Sequence, residues 1–558
     1  MPVSHQEAIA KLTAPGAPFE THLISIAGFE VTAFKNAPNN LREVFDLSRT
    51  RGESVFVVYE DERWTFDETM KHVDAVAAML VNTYGIKKGD RVAIAMRNYP
   101  EWVISFAAIL SIGAVSVSFN AWWTPDENDF ALEDSGAKVL LCDEERAERS
   151  VKSVARLGIH GVVCRSKKPL LPGFDRWEDA IMLGEAMPAA DIAPDDDATI
   201  LYTSGTTGRP KGAVSTHRSI IQALLGFSCR TTIQNVRYPK DPKDSTGIAP
   251  SFILVVPLFH VTGCIPVMMS CFVGGLKLVI MYKWEPERAL QLIQREKITN
   301  FVGVPTQSWD LLECPNFSQY DVSSLASVGG GGAPAPPELV KRVSSNFKKG
   351  QPGIGYGMTE TNAYGPQNTG PDYLLHPTST GRGTPILQIE TRDADGHTLP
   401  PNEIGEIWFK GPHLIRGYWN RPEATAETIV NGWLRSGDLG KIDEEGFVFV
   451  LDRAKDMVIR AGENIFCAEV EAAIYELPAV HECAVFGLPH ERLGEELACA
   501  VMLKPDHELD VDTLRSHVAT MLASFKVPSR VVFVTEPLPR NASGKILKRE
   551  LRDTFPQD

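Results

Sequence analysis

At 558 residues the chain exceeds one ordinary domain, so a large body with at least one further unit is expected. Hydrophobic residues at 43% and charged residues at 23% are the proportions of a globular protein, and a formal charge of −15 argues against general nucleic-acid binding or adhesion to anionic membranes. Nine cysteines without a C-x-x-C pair fit free thiols in a reducing compartment, not a disulfide framework or a zinc site.

The segment Met1–Glu7 lacks a cationic region followed by an apolar one, and Phe555–Asp558 is not a peroxisomal address. Between residues 252 and 282, Pro257, His260, Pro266, Gly274, Gly275 and Lys277 break the most apolar stretch, leaving no run of ~20 apolar residues. Buried strand and helix are expected there, in a cytoplasmic protein without a transmembrane segment.

Residues 1 to about 40, with Pro15, Pro18 and Pro38 as breakers, read as a loosely structured lead-in. Trp64-Thr65-Phe66 opens a helix with Asp67 and Glu68 in its first turn, and Val73, Val76, Ala77 and Leu80 recur at helical spacing. A strand at 92–96, a helix from about Tyr99 to Ser111 and a strand at 114–117 follow. Apolar strands at 138–142 and 160–164 continue the alternation, which is the pattern of a parallel α/β sheet. Residues 240–247 are polar and read as an exposed loop.

The strand-like run Ala198–Tyr202 leads into Thr203-Ser204-Gly205-Thr206-Thr207-Gly208-Arg209-Pro210-Lys211-Gly212. Glycines let successive backbone N–H groups converge on one anion, hydroxyls add donors, and Lys211 adds a full charge. Gly208 is followed by Arg209-Pro210 and Lys211 by Gly212, so this is not a Walker loop. From these residues alone, both a polyphosphate cradle and a surface loop of turn formers remain open.

Tyr202–Gly212 resembles the signature loop of the adenylate-forming enzymes, the superfamily of acyl-CoA synthetases, luciferases and peptide-synthetase adenylation domains. The resemblance runs from about Thr65 to Arg552. It implies an α/β fold: a large N-terminal domain of α/β subdomains with parallel sheets, residues 1–454, and a smaller mobile α+β C-terminal domain, residues 455–558. In the cradle, Thr203, Ser204, Gly205, Thr206, Thr207, Gly208 and Lys211 would bind ATP, with Thr206 counted as catalytic. Val256–Gly263 resembles a strand ending at the acyl pocket, with His260 and Gly263 lining it; by itself such a histidine is more often a satisfied core residue, and no proton transfer is assigned to it. Phe301–Thr306 resembles a second pocket-facing strand end, supplying Val302, Gly303 and Val304.

Ser327–Pro334 resembles the family's glycine-alanine-proline turn, where Gly332, Ala333 and Pro334 would meet the nucleotide and Gly330 and Gly331 the acyl group. Four successive glycines from Gly329 remove every side chain from that wall. This fits either loop flexibility or an opening for a long or bulky acyl group. In Tyr356-Gly357-Met358-Thr359-Glu360 the match places all five at ATP, Tyr356 against the purine, and Glu360 as the one ligand of a magnesium ion, for which a hard oxygen is suited. Asp438 and Arg453 would hold the ribose, and Lys455 occupies the hinge position. Arg460, Gly462 and Glu463 resemble the strand framing the CoA channel. Pro539–Arg549 resembles the loop presenting the catalytic lysine, Lys545. If the following segment is helical, Lys545, Lys548, Arg549 and Arg552 form a basic stripe.

The resemblance thus implies an ATP- and Mg2+-dependent acyl-CoA synthetase acting on a small-molecule carboxylic acid with coenzyme A, through an acyl-adenylate. Val261, Val302 and Val304 and the glycine wall suggest a medium- or long-chain fatty acid or a bulky acid. An aryl-acid CoA ligase and an acyl-AMP ligase loading a carrier protein are the alternatives, and a luciferase-like oxygenase needs nothing visible here. A non-catalytic nucleotide-binding scaffold does not require Lys545. A homodimer is left open.

Overall fold

Short runs of Val, Ile, Leu and Ala that are buried on both faces become the parallel strands of two eight-stranded sheets. The computed structural model describes residues 3–203, 210–239, 247–333, 335–541 and 544–556. In the first sheet Arg91–Ala95, Val115–Ser118, Val139–Asp143, His160–Cys164 and Asp197–Thr203 run parallel; Lys211–Thr216 folds back antiparallel on the last of these. In the second, Val55–Tyr59, Lys277–Ile280, Ser251–Leu254, Asn300–Gly303, Ser327–Gly331 and Gln351–Gly355 run parallel between antiparallel edges. The helix Pro100–Ser111 is buried along its whole length, and one core takes side chains from both sheets. The expected α/β alternation is therefore present. The helix Phe66–Asn82 starts on Thr65, whose hydroxyl accepts the Glu68 N–H in a capping box.

The lead-in is ordered, contrary to expectation. Ser4 and Glu7 cap a helix over His5–Thr13, and Thr21–Ile26 pairs with Phe29–Phe34 as a hairpin. Ala8, Leu12 and Phe34 bury themselves with Tyr364, Phe409 and Leu434. Gln222 clamps the hairpin, accepting from Phe34 N–H at 2.8 Å and donating to its carbonyl at 3.1 Å. Two helical turns carry too few apolar positions for periodicity to show.

An antiparallel sheet of five strands, including Gly405–Lys410, Trp433–Ile442 and Val448–Arg453, completes the large N-terminal domain. The smaller C-terminal domain has its own five-stranded sheet, built on Val480–His490 and Gly494–Leu503. It also has its own core, in which Val470, Val485, Leu497 and Leu514 pack together. Over 252–282 the chain forms strand, π-helix, helix and strand, and among the described residues no helix is long and apolar enough to cross a membrane. The cysteines are all free. The basic stripe does not form. The last helix, Lys548–Thr554, begins after Lys545, and Lys548 turns inward to Glu471 at 2.7 Å while Leu551 anchors the helix.

Candidate active site

At the carboxyl ends of both large sheets lies a cavity of about 1740 Å³. That exceeds a single small-molecule pocket of roughly 300–1,000 Å³, and it leaves space for a nucleotide and an acyl group side by side. It opens where the strand order lets loops part, the usual ligand position of α/β sheets.

The cradle joins two antiparallel strands. Tyr202 faces Gly212 and Thr203 faces Lys211, and Thr203 Oγ1 donates to the Lys211 carbonyl at 3.3 Å. Both Thr203 and Lys211 line the cavity, and Lys211 Nζ lies 5.3 Å from the Tyr418 ring centre. Ser204, Gly205, Thr206, Thr207 and Gly208, with Pro334, lie outside the described residues.

Asp438 and Arg453 are register partners on adjacent antiparallel strands, which explains their meeting on one wall with Arg453 Nε 3.7 Å from the carboxylate. Tyr356 donates its hydroxyl to the same carboxylate and packs at 5.7 Å on Phe409. Burial raises the Asp438 pKa, against the Tyr356 hydrogen bond and the charge of Arg453. Gly357, Met358, Thr359 and Glu360, the next four residues in the chain, line the cavity. A Cβ on Gly357 would stand 2.7 Å from Ala363 backbone, so only glycine allows that turn. Glu360 accepts the Tyr418 hydroxyl at 2.7 Å on Oε1; burial raises its pKa, and Tyr418 opposes the rise.

The small domain presents Lys545 to this cavity. Lys545 follows Gly544, whose φ of 84° is the left-handed conformation, and a Cβ there would lie 3.2 Å from Val304 of the large domain. Burial and the neighbouring Arg453 lower the lysine pKa to about 8, against Asp438 and Asp456. Lys455 also lines the cavity, on the turn that follows Arg453.

Val302, Gly303, Val304 and the four glycines, expected at the acyl group, line the same cavity. Ser327–Gly331 is a regular strand, not a flexible loop, and the cavity follows it from Gly331 back to Ser327 and Ala326. At about 3.3 Å per residue this is a rise of roughly 13 Å. A Cβ on Gly329 or Gly330 would meet nothing nearer than 3.6 or 3.5 Å, whereas on Gly331 it would stand 2.9 Å from the Gly355 carbonyl. Two of the glycines thus leave room, and the third is required by the neighbouring strand. His260 lines the cavity with a pKa lowered by burial to about 4, so it is neutral. Its Nδ1 accepts from Thr262 N–H at 3.2 Å, which leaves the proton on Nε2.

Several expectations are displaced. The strand ends at Leu254; residues 255–260 form a loop held by Asn98, which accepts Leu258 N–H at 2.8 Å, and the chain is helical from Val261, with a π-helix over Gly263–Met269. Gly263 is not on the cavity wall. A Cβ there would stand 2.2 Å from the Pro257 carbonyl, so packing of the helix start against the preceding loop explains that glycine. Tyr356 and Ala333 likewise stand behind the lining. Arg460, Gly462 and Glu463 are away from the cavity, on an exposed hairpin whose tip, Ala461-Gly462, has φ of 52° and 90°. Sequence reasoning missed the wall formed by the helix His217–Arg237, with Phe227, Ser228, Arg230 and Thr231. A polar stripe in a largely buried helix was the available signal.

Residues 45–419 match the AMP-binding enzyme family, and residues 469–545 match the AMP-binding enzyme C-terminal domain. The chain belongs to the AMP-binding enzyme family, in its acyl-CoA synthetase branch, and is an acid–thiol ligase. It is 35% identical over 503 residues to the long-chain-fatty-acid–CoA ligase FadD13 of Mycobacterium tuberculosis, covering 89% of this chain and 94% of the relative. It is also 35% identical over 494 residues to a feruloyl-CoA synthase of Amycolatopsis sp, covering 88% and 94%. The crystal structure of the anthranilate CoA ligase AuaEII in complex with anthranoyl-AMP superposes with a TM-score of 0.83 at 26% identity, covering 92% of this chain and 96% of that one.

Proposed function

We propose that this cavity joins a medium- or long-chain fatty acid, or a bulky ring-bearing acid, to coenzyme A in two half-reactions separated by a movement of the small domain. The observation that carries the reading is the convergence of Lys545 with Thr203, Lys211, Glu360 and the Asp438–Arg453 pair on one cavity. Asp438 and Arg453 hold the ribose hydroxyls, and Thr203 and Lys211 flank the phosphates with the rest of the cradle. The acid lies along the strand Ser327–Gly331, its carboxylate near His260 and Lys545. It attacks the α-phosphorus, pyrophosphate leaves, and an acyl-adenylate remains. Like charges oppose that approach, so preorganised cations at the site are what the step needs.

Glu360 fits a magnesium site. It is a buried carboxylate on the cavity with one oxygen held by Tyr418 and no side-chain partner on Oε2 among the described residues. Magnesium commonly takes one or two protein carboxylates and completes its shell with phosphates and water. When bound, the ion supplies charge neutralisation on the polyphosphate.

Division of the chain at 454/455, with Lys455 as hinge, lets the hairpin bearing Arg460, Gly462 and Glu463 replace Lys545 at the cavity for the thioester step. The free thiols support a reducing, cytoplasmic setting. The relatives named for long-chain fatty acids and for ferulate are equally similar, so cavity length carries the choice, and an aryl acid is second. Pyrophosphate release and thioester formation across a carboxylic-acid panel, with and without CoA, test the reading. Highest kcat/KM for acetate would overturn the substrate class. Pyrophosphate release without any CoA thioester would point to a carrier-protein acceptor.

A further inference from the structure

Among the described residues four arginines line the cavity. Three stand against a carboxylate: Arg435 at 2.8 Å from Glu406, Arg540 at 2.7 Å from Glu482 and Arg453 at 3.7 Å from Asp438. Arg230 has none. Its Nη1 donates to the Gly365 carbonyl at 2.8 Å, and its guanidinium lies over the rings of Phe227 and Tyr364 at 5.1 and 5.2 Å. The Nε is buried without a hydrogen-bond partner, and Nη2 makes no hydrogen bond to any described residue.

One carbonyl and two ring faces hold the guanidinium flat and do not neutralise it. The residue is half-buried with its Nε fully enclosed, and a cation partly withdrawn from water without a counter-charge is costly and is kept where something else completes it. Burial lowers its pKa to about 10, so it remains charged at neutral pH. The ionisable groups acting on it are Tyr364 and Cys229; Glu360, Asp438 and Lys545 are not among them. Among the described residues no hydrogen bond or ion pair joins Arg230 to Glu360, Asp438 or Lys545. The neighbouring hydroxyls do not share its need, because Ser228 and Thr231 donate back to helix carbonyls at 3.2 and 3.1 Å.

We propose that Arg230 binds a second acceptor oxygen on the acid, so that the preferred substrates carry a carboxylate or ketone away from the reacting carboxyl. Plain alkanoates leave the guanidinium uncompensated. This rests on the ligase reading and narrows its substrate class. Guanidinium geometry suits two acceptor lone pairs in its plane, which a terminal carboxylate offers fully and a ketone in part.

The test compares kcat/KM for pyrophosphate release among acids of matched length ending in a methyl, a ketone or a carboxylate, across a series of lengths. A hydrogen bond to a charged group is worth roughly 10- to 100-fold, and that is the preference expected for acceptor-bearing acids over methyl-ended ones. Arg230→Met should abolish the preference while KM for ATP stays in place, and Arg230→Lys should keep part of it. Carboxylate above ketone identifies a charge contact; equal rates identify a neutral acceptor, and either supports the inference. Methyl-ended acids turned over as well as acceptor-bearing ones at every length would overturn it and leave the ligase reading standing. So would an Arg230→Met loss that is equal for all acids. No pyrophosphate release with any acid would overturn the ligase reading and this inference with it. If Arg230→Met fails to fold, the wild-type panel and Arg230→Lys still decide.

Discussion

Glu313 of the large domain accepts Lys504 of the small domain at 3.0 Å. His481, also on the small domain, stands 3.3 Å from the other carboxylate oxygen, and Arg342 of the large domain lies at 3.5 Å. The contact ties the small domain down in the pose that puts Lys545 at the cavity. Burial would raise the Glu313 pKa, but His481 and Lys504 outweigh it and hold it at about 2. The same hydrogen bond raises His481, with Glu482 and Asp310 adding to the rise and burial opposing it.

The first prediction follows from that contact. These pairs are about a quarter exposed, so each contributes on the order of 1 kcal/mol or less. Glu313→Gln should therefore slow pyrophosphate release several-fold and spare thioester formation from supplied acyl-adenylate. The His481 contribution is complete below the ordinary histidine pKa and is lost as pH rises through its raised value. The Glu313 contribution is lost as pH falls towards 2. Fluorescence transfer between probes on the two domains, followed across pH, reads the docked fraction; a fraction unchanged by Glu313→Gln would remove the latch.

Lys545 is expected to serve adenylation alone. Lys545→Ala should lower pyrophosphate release about a hundred- to a thousandfold, the cost of one preorganised charge contact. Turnover of acyl-adenylate with CoA should persist. Because burial and Arg453 lower the lysine pKa to about 8, its ammonium form is lost as pH rises through that value. The free-enzyme profile, kcat/KM against pH, should fall above about 8, and Lys545→Arg should flatten that limb.

The backbone at Lys455 separates the half-reactions the other way. Its N–H makes no hydrogen bond to a described residue in this pose, while Asp456 and Met457 N–H both bond the Arg453 carbonyl. A proline there removes no bond from the present arrangement but locks one dihedral. In Lys455→Pro, pyrophosphate should be released at near the parent rate while thioester formation stalls. Equal loss of both would refute the two-pose scheme.

Glu360→Gln keeps the shape of the side chain and removes the charge proposed to hold the cation. Pyrophosphate release should then need higher magnesium for half-maximal rate, with thermal unfolding little changed. A magnesium titration identical to the parent's would exclude Glu360 from the site.

Gly330→Ala tests the acyl wall. The added methyl meets nothing nearer than 3.5 Å, so the fold should accept it. Projecting into the cavity, it should cut kcat/KM for the longest or bulkiest acids and spare short ones. Each methylene excluded from burial costs about 0.8 kcal/mol, so the loss should steepen with chain length. A uniform loss across lengths would place the acyl group elsewhere.

Much of this site was legible in order along the chain. The residues proposed to bind phosphates and ribose sit in short strings whose spacing is local, as in Thr203–Gly212, Tyr356–Glu360 and Arg435–Gly440. Alternating apolar strands and helices were enough for two parallel sheets, because each strand's burial is written in its own few residues. The tertiary structure alone decided which distant side chains meet. Nothing near Arg230 in sequence reveals that it lacks a carboxylate, and nothing near Lys548 reveals Glu471 beneath it. Glu313 finds Lys504 only because the small domain docks over the large one. The first forty residues passed as a lead-in because their order comes from a clamp by Gln222 and a core shared with Tyr364 and Phe409. Local geometry follows from neighbours along the chain; whether a buried charge is paired depends on packing between elements that the sequence keeps far apart.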